Sequence, residues 1–381
     1  MIKFIELFAG IGGFRYGLEN VTTCEGVQQG LSQESKTLPS AKQSCVATKQ
    51  FTCVWANEID KYACQVYRRN YGTKKEPKSN IQPKDSAVLE SESPQHRGHP
   101  LHQGVQGENK SDRECRERTR GTECVRSNRN STDSKGESWK DNESAFDERS
   151  KLYEGDITKV NTEEIPDHDL LVGGFPCQAF SIAGKRGGFE DTRGTLFFEI
   201  ARIAQEKRPR LILLENVKGL LSHDKGRTFG AILTTLDEIG YDCQWQVLNS
   251  KNFGVPQNRE RVFIIGHLRG TSRPEVFPIT GANEQALKEL TTGQSQGMRV
   301  YDDKGISTSI ASQAGGWGSK TGLYSLTQQG IIRRLTPVEA ERLQGFPDGW
   351  TEGVSDTQRY KCLGNAVTTN VIAEIGKRLM V

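Results

Sequence analysis

Nowhere does this chain carry the ~18 consecutive uncharged apolar residues of a membrane-spanning helix, so no helical span is expected. Its opening, Met1 to Phe8, has no basic leader with a long apolar run behind it, and a cytoplasmic location is the expectation. Paired cysteines are missing as well. Nine thiols stand at positions 24, 45, 53, 64, 115, 124, 177, 243 and 362, an odd number with no CxxC spacing. This excludes a fully paired disulfide framework and the usual zinc and redox motifs, and leaves reduced cysteines. Charge imbalance is slight. A net charge of +3 permits a nucleic-acid partner without demanding one.

Aromatic residues almost vanish between 73 and 150, where only Trp139 and Phe146 occur among interleaved Ser, Glu, Lys, Arg and Asn. Such a composition buries too little apolar surface to offset its ordering entropy, so the stretch reads as a disordered insertion. Residues 21 to 50, rich in Ser, Gln and Thr, read the same way. His96, His99 and His102, with Cys115 and Cys124 downstream, match no structural zinc spacing, and no metal site is expected.

What is present is an alternation of apolar strand-like and helix-like segments, in a chain of 381 residues with 34% hydrophobic content, enough for one large core or two smaller ones. Strands are expected over Lys3 to Phe8, Cys53 to Glu58, a short stretch before Gly155, Leu170 to Phe175, Leu211 to Leu214, Tyr241 to Leu248 and Arg261 to Gly266. Helices are expected over Gly12 to Asn20, Asp60 to Tyr71, Thr195 to Glu206, Arg227 to Ile239 and Ala366 to Leu379. The alternation predicts an α/β fold with a mostly parallel sheet and helices on both faces. Ligands then bind at the carboxyl edge, where strands run into helices. Both insertions follow a helix and precede a strand, which places them away from that edge.

Several strand ends carry chemistry. Gly173 to Ser181 puts Cys177 in a glycine-flanked turn after the apolar run Leu170 to Val172. A free cysteine commonly serves as a small core hydrophobe, so its neighbours decide. Phe8-Ala9-Gly10-Ile11-Gly12-Gly13 is a turn whose glycines let a ligand approach the backbone at a helix N-terminus, and its spacing is not the GxGxxG of dinucleotide sites. Glu58 and Asp156 end the next two strands, where carboxylates suit the hydroxyls and amino group of a nucleoside, or simply cap helices. Glu215-Asn216-Val217 follows Leu211 to Leu214 and brings an acid to the edge that carries Cys177, a pairing suited to thiolate addition with ring protonation. In Gln257 to Arg261, Arg259 and Arg261 sit at alternate positions, which on a strand face the same way.

Taken in order, Phe8 to Gly13, Gly174 to Gln178, Glu215 to Val217, Gln257 to Arg261, Arg334 to Pro347 and Gly364 to Val367 resemble the motif series of the DNA (cytosine-5) methyltransferases of bacterial and phage type. That resemblance implies a Rossmann-like, S-adenosylmethionine-dependent methyltransferase sheet with a second, smaller target-recognition domain. It divides the chain into a catalytic domain over 1 to 266, a short recognition region over 267 to 332, and C-terminal motifs over 333 to 381 that return to the catalytic domain. It implies that Cys177 attacks C6 of a flipped cytosine, Glu215 engages N3, and Arg261 and Arg259 belong to the catalytic group. Phe8, Gly10, Ile11, Gly12, Gly13, Glu58, Ile59, Asp156, Ile157, Pro176, Leu196 and Asn365 would line the cofactor pocket. Phe175, Gln178, Ser181, Gln257, Ser309, Gly315 and Gly316 would meet the substrate. The expected partner is double-stranded DNA and the expected state a monomer, with a cognate restriction endonuclease as a functional rather than physical partner. A tRNA cytosine methyltransferase and a catalytically inactive DNA-binding or regulatory homologue are the alternatives. The intact Cys177 and Glu215 speak against the second of these.

Overall fold

The computed structural model describes residues 1–24, 47–72, 146–176, 196–281, 286–291, 293–295, 298–312, 321–326 and 331–380. The first part contains β1 (Ile2–Leu7), α1 (Gly13–Glu19), β2 (Thr22–Cys24), β3 (Ala47–Lys49), β4 (Phe51–Glu58), α2 (Lys61–Tyr71), β5 (Phe146–Asp147), β6 (Leu152–Glu154) and β7 (Leu170–Gly174). There follow α3 (Leu196–Lys207), β8 (Leu211–Val217), α4 (Arg227–Glu238), β9 (Tyr241–Asn249), β10 (Gln257–Asn258) and β11 (Glu260–Leu268). Beyond these lie β12 (Val300–Asp302), β13 (Ser307–Thr308), β14 (Leu323–Leu326), β15 (Ile331–Arg333), α5 (Pro337–Leu343), α6 (Asp356–Asn365) and α7 (Thr369–Leu379).

Eight strands form one sheet in the order β5-β6-β4-β1-β7-β8-β11-β9. From β1 the chain builds outward through β4 and β6, then crosses back to β7 and continues outward through β8 on the other side. The strand order reverses between β1 and β7, and the crevice at such a switch point is where α/β sheets bind ligands. The glycine-rich turn after β1 lies at this switch point, and Gly173 and Gly174 form the end of β7 beside it. Five central strands are parallel, as expected; β11 runs antiparallel to both β8 and β9, and the short β5 antiparallel to β6. The reversal at β11 matters for the site, because it starts that strand at the edge where β8 ends.

Parallel strands covered on both faces read as unbroken apolar runs, and Leu211, Ile212, Leu213 and Leu214 are all fully buried. Alternate residues feed two layers. Phe4, Leu211 and Leu213 pack towards α1 and α7, while Ile5, Ile212 and Leu214 pack towards α3 and α4. A third cluster joins α2 to α5 and α6 through Val66, Phe346, Trp350 and Leu363. The last helix does pack on the first: a Cβ at Gly17 would lie 2.7 Å from Ile372 Cβ, so the two helices touch at backbone distance. It begins at Thr369, later than the expected Ala366, because α6 ends only at Asn365.

Of the two stretches expected to be insertions, residues 25–46 and 73–145 lie outside the described residues, and the flanks that are described are ordered. Within 21 to 50, β2 and β3 pair antiparallel, and their far ends stay with the amino end of β1 through Ile2 N–H to the Gln50 carbonyl (2.8 Å). Within 73 to 150, residues 146 to 150 belong to the folded body: β5 pairs with β6, Ser150 is fully buried, and its carbonyl accepts from Arg15 Nη1 at 2.7 Å. Averaged composition misses these flanks because backbone ladders and carbonyls hold them, not apolar side chains.

Helix α1 lacks a side-chain cap at Gly12. Its first N–H groups are taken by Glu6 of the neighbouring strand, whose Oε1 accepts from Phe14 (3.1 Å) and Arg15 (3.4 Å). Burial lifts the Glu6 carboxyl to about 8, against the pull of Arg15 and these N–H donors. Because the folded-state value lies above the ordinary carboxylate value of 4.5, this contribution to stability is complete below 4.5 and declines as pH rises to about 8. Melting temperatures at about pH 5 and about pH 9 should therefore diverge more for the wild type than for Glu6→Gln, which stays neutral throughout. Equal divergence in the two proteins would remove Glu6 as the source.

Candidate active site

On the cofactor side, the turn after β1 passes through left-handed backbone at Phe8 (φ 54°), Gly10 (φ 55°) and Gly12 (φ 81°). Positive φ strains a phenylalanine, so the turn is held by its surroundings. Those surroundings include Ala9 N–H to the Asn57 carbonyl and Gly10 N–H to Glu58 Oε2, at 2.8 and 2.7 Å. The two left-handed glycines differ in purpose. A Cβ at Gly12 would fall 2.3 Å from Tyr71 Cε2, which makes Gly12 a packing requirement, and Gly13 likewise meets Val367. A Cβ at Gly10 would meet nothing within 4 Å, which leaves the backbone open to a ligand.

Glu58 is nearly buried, and its Oε1 accepts from the Ile59 and Asp60 N–H groups at 2.9 and 2.8 Å. With Gly10, three backbone donors fix the carboxylate against the glycine turn, while burial raises its affinity for a proton. Ile59 beside it is 68% exposed, a large apolar side chain turned out at the same edge. Asp60 caps α2 and accepts from Lys361 Nζ (2.6 Å), which draws α6 towards this loop; the exposed Asn365 is the last residue of α6. Asn57 Nδ2 donates to the Gly155 carbonyl (2.9 Å) and so ties down the turn carrying Asp156. Asp156 itself accepts from Thr158 N–H (3.0 Å), the capping alternative foreseen for it, and Ile157 is buried in the α3-side cluster. Leu196 is partly buried at the start of α3, and Ile11 is buried between the glycine turn and α6.

On the reaction side, β7 ends at Gly174, and Phe175 and Pro176 follow it. Cys177, Gln178, Ser181, Gly315 and Gly316 lie outside the described residues. Phe175 is buried with its ring 5.5 Å from that of Phe197, and its carbonyl accepts from Asn216 Nδ2 at 2.9 Å. Pro176 is exposed. Strand β8 runs on to Val217, past the expected end at Leu214, so Glu215 and Asn216 lie within it. Glu215 is in register with Gly174 of β7 and Phe263 of β11. A Cβ at Gly174 would press to 3.2 Å from Glu215 Oε2, so that glycine makes room for the carboxyl group. Arg261 Nε reaches Glu215 Oε1 at 2.9 Å, both side chains being less than a fifth exposed. Burial pushes the Glu215 carboxyl above its ordinary value, and Arg261 and Arg259 pull it back.

Arg259, expected in the catalytic group, and Gln257, expected to meet the substrate, both bind parts of the protein to one another. Arg259 precedes β11, so the period-two argument that paired it with Arg261 does not apply; it is buried, and its guanidinium is spent on Ser309 Oγ and on the carbonyls of Ile310, Gly364 and Ala366. Gln257 is fully buried, donating to the Leu343 carbonyl and accepting from Ile310 N–H. Asn57, Asn216 and Lys361 went unassigned in the sequence. A polar residue next to a strand-end carboxylate was the available signal for the first two; nothing local marked Lys361.

Exchanging Gly10 for alanine should separate the two glycines. Gly10→Ala carries left-handed strain of about 1–2 kcal/mol but no clash, so it should fold, and on the cradle role that the motif resemblance implies it should bind S-adenosylmethionine at least tenfold more weakly in calorimetry. Unchanged donor affinity would show that this backbone is not the cradle.

The model of the C-5 cytosine-specific DNA methylases matches residues 2–94, 118–296 and 281–380. The chain is 31% identical to the type II methyltransferase M.HhaI of Haemophilus parahaemolyticus, over 98% of this chain and 93% of that one. It is 32% identical to M.NlaX of Neisseria lactamica, over 100% and 96% of the two chains. Among solved structures, the S. pombe Dnmt2 methyltransferase superposes with a TM-score of 0.58 at 15% identity, covering 100% of this chain and 99% of that one, a likeness of fold. With the sheet, the glycine cradle and the Glu215–Arg261 pair in place, these matches make the chain a member of the C-5 cytosine-specific DNA methylase family.

Proposed function

We propose that this protein transfers a methyl group from S-adenosylmethionine to C5 of a cytosine turned out of duplex DNA, through a bond between Cys177 and C6. The observation that carries the reading is the Glu215 carboxyl. It is largely buried, held by Arg261, raised in proton affinity, and set beside the strand end that leads into Cys177.

The residues of the cradle fit the donor. Gly10 leaves its backbone open, Glu58 presents an oriented carboxylate suited to ribose hydroxyls, Ile59 offers an apolar surface, Phe8 opens the same turn, and Asn365 ends the helix that Lys361 ties to Asp60. Bound there, the donor supplies an electrophilic methyl group. The protein's own part begins with cytosine C5, a poor nucleophile. The Cys177 thiolate adds to C6 while Glu215 gives its proton to N3, so that C5 becomes the nucleophilic carbon of an enamine. Once the methyl is in place, a base removes the C5 proton, the C6–S bond breaks, and Glu215 takes back the N3 proton. Arg261 keeps the carboxyl oriented throughout and stabilises its anionic form. Extruding the base costs a few kcal/mol of pairing and stacking, which contacts to the flipped base and the opened duplex must offset.

The relatives named as type II methyltransferases support a role in marking DNA against a cognate endonuclease. Incubation with labelled S-adenosylmethionine and either duplex DNA or tRNA, followed by base analysis, tests the substrate. Label in 5-methylcytosine of the DNA is expected, and label on tRNA alone would sink this reading. Restriction-resistance mapping of DNA from an expressing host then reads out the target site and the protection.

A further inference from the structure

Arg259 is 2% exposed, yet among its described partners there is no carboxylate at bonding distance. Nη1 donates to Ser309 Oγ (3.1 Å) and the Ile310 carbonyl (3.2 Å). Nη2 donates to the carbonyls of Gly364 (3.0 Å) and Ala366 (2.8 Å). Nε is buried and has no partner among the described residues. A charge sealed against neutral acceptors is a costly way to fill space, and burial together with Arg261 draws this guanidinium down to about 9. What the group provides is geometry. A planar fork binds two segments at once, one from each prong.

The first segment belongs to the recognition region, where β13 pairs with β10 just ahead of Arg259. The second flanks Asn365, at the end of the helix that Lys361 and Asp60 draw to the cofactor loop. The segments also meet directly: a Cβ at Gly364 would lie 2.3 Å from Ser312 N. Two fully buried amides reinforce the junction. Gln257 accepts from Ile310 N–H and donates to Leu343, and Gln344 Nε2 donates to the Leu363 carbonyl (2.7 Å).

We propose that Arg259 is a positioning residue that holds Ser309–Ile310 of the recognition region and Gly364–Ala366 at the end of α6 in one register, so that DNA on the first and the methyl donor beside Asn365 each favour the other's binding. This rests on the proposed function. Linkage makes such coupling reciprocal.

The test is a double-mutant cycle on the full chain. Arg259→Lys keeps the charge but offers a compact ammonium that cannot span both segments. It should raise the KM for donor and the KM for sheared unmethylated genomic DNA together, by about fivefold or more. Ser309→Ala removes one acceptor in the recognition region. It should raise the donor KM about two- to threefold in the wild-type background and leave it unchanged in the Arg259→Lys background. Calorimetric binding of S-adenosylhomocysteine in the presence of the same DNA should repeat the pattern without turnover. A purely structural role predicts a lower melting temperature with both KM values unchanged, or effects of the two substitutions that multiply; either result overturns the proposal. If Arg259→Lys does not fold, Ser309→Ala alone decides, and an unchanged donor affinity rejects the coupling. Failure of wild-type protein to methylate DNA would count against the proposed function instead, while the binding cycle still judges Arg259.

Discussion

Cys177→Ser should abolish methyl transfer, with kcat falling by about 10⁴-fold or more, as losses of nucleophiles do. The side chain lies outside the described residues, so the expectation rests on its motif and on what precedes it in the chain. Asn216 fixes the Phe175 carbonyl two residues before Cys177, and Gly174 yields space to the Glu215 carboxyl. A serine alkoxide forms far less readily than a thiolate at neutral pH, so addition to C6 should stop even with the substrate bound. DNA containing 5-fluorocytosine makes the result visible. Fluorine at C5 cannot leave as a proton does, so wild-type protein should remain bonded to the DNA through denaturing electrophoresis. A trapped complex with the serine variant would refute Cys177 as the nucleophile.

Glu215→Gln should lower kcat by about 10²- to 10⁴-fold, the range of a general acid, while DNA binding and the melting temperature change little. Its pH profile carries more information than its magnitude. Burial raises the Glu215 carboxyl, so the protonated form persists above the ordinary carboxylate range. Catalysis that needs that proton declines as pH rises through the raised value, and the thiolate requirement of Cys177 gives the opposite limb. Glutamine donates a hydrogen bond to N3 but no proton, so the variant should lose the alkaline limb and keep the acidic one. If the ratio of wild-type to variant kcat were independent of pH, Glu215 would be an orienting group and not an acid. Arg261 acts on the same equilibrium: its removal takes away the charge 2.9 Å from Oε1 and should move the limb to higher pH.

Much of this site could be read from the chain because local chemistry fixed it. Fully apolar Leu211 to Leu214 had to be a strand buried on both faces, and the acid that follows it had to emerge at the ligand edge. Positive φ at Gly10 and Gly12 matches the glycines of the first turn, though only the structure shows that Gly12 packs on Tyr71 while Gly10 stands open. Thr336, Pro337 and Glu339 form the capping box that their spacing implies. Where the reading went astray, contacts between distant segments had won over local pattern. Arg259 and Arg261 looked equivalent at alternate positions, yet β11 begins only at Glu260. Residues 146 to 150 looked too polar to order, yet the buried carbonyl of Ser150 is held by an arginine 135 positions away.

The sequence by itself determined the order of strands and helices and the edge on which the strand-end motifs converge, and through its motif resemblance it offered Cys177 and Glu215 as the candidate reactive pair. The first two follow from periodicity and from which residue ends a strand. Tertiary structure alone decided which arginine faces Glu215 and which is locked inside, and how the segment around Ser309 and Ile310 is fastened to the helix that ends in Asn365. The reason is separation along the chain: Arg259 finds its acceptors 50 to 107 residues away, and no local pattern encodes a partner at that distance.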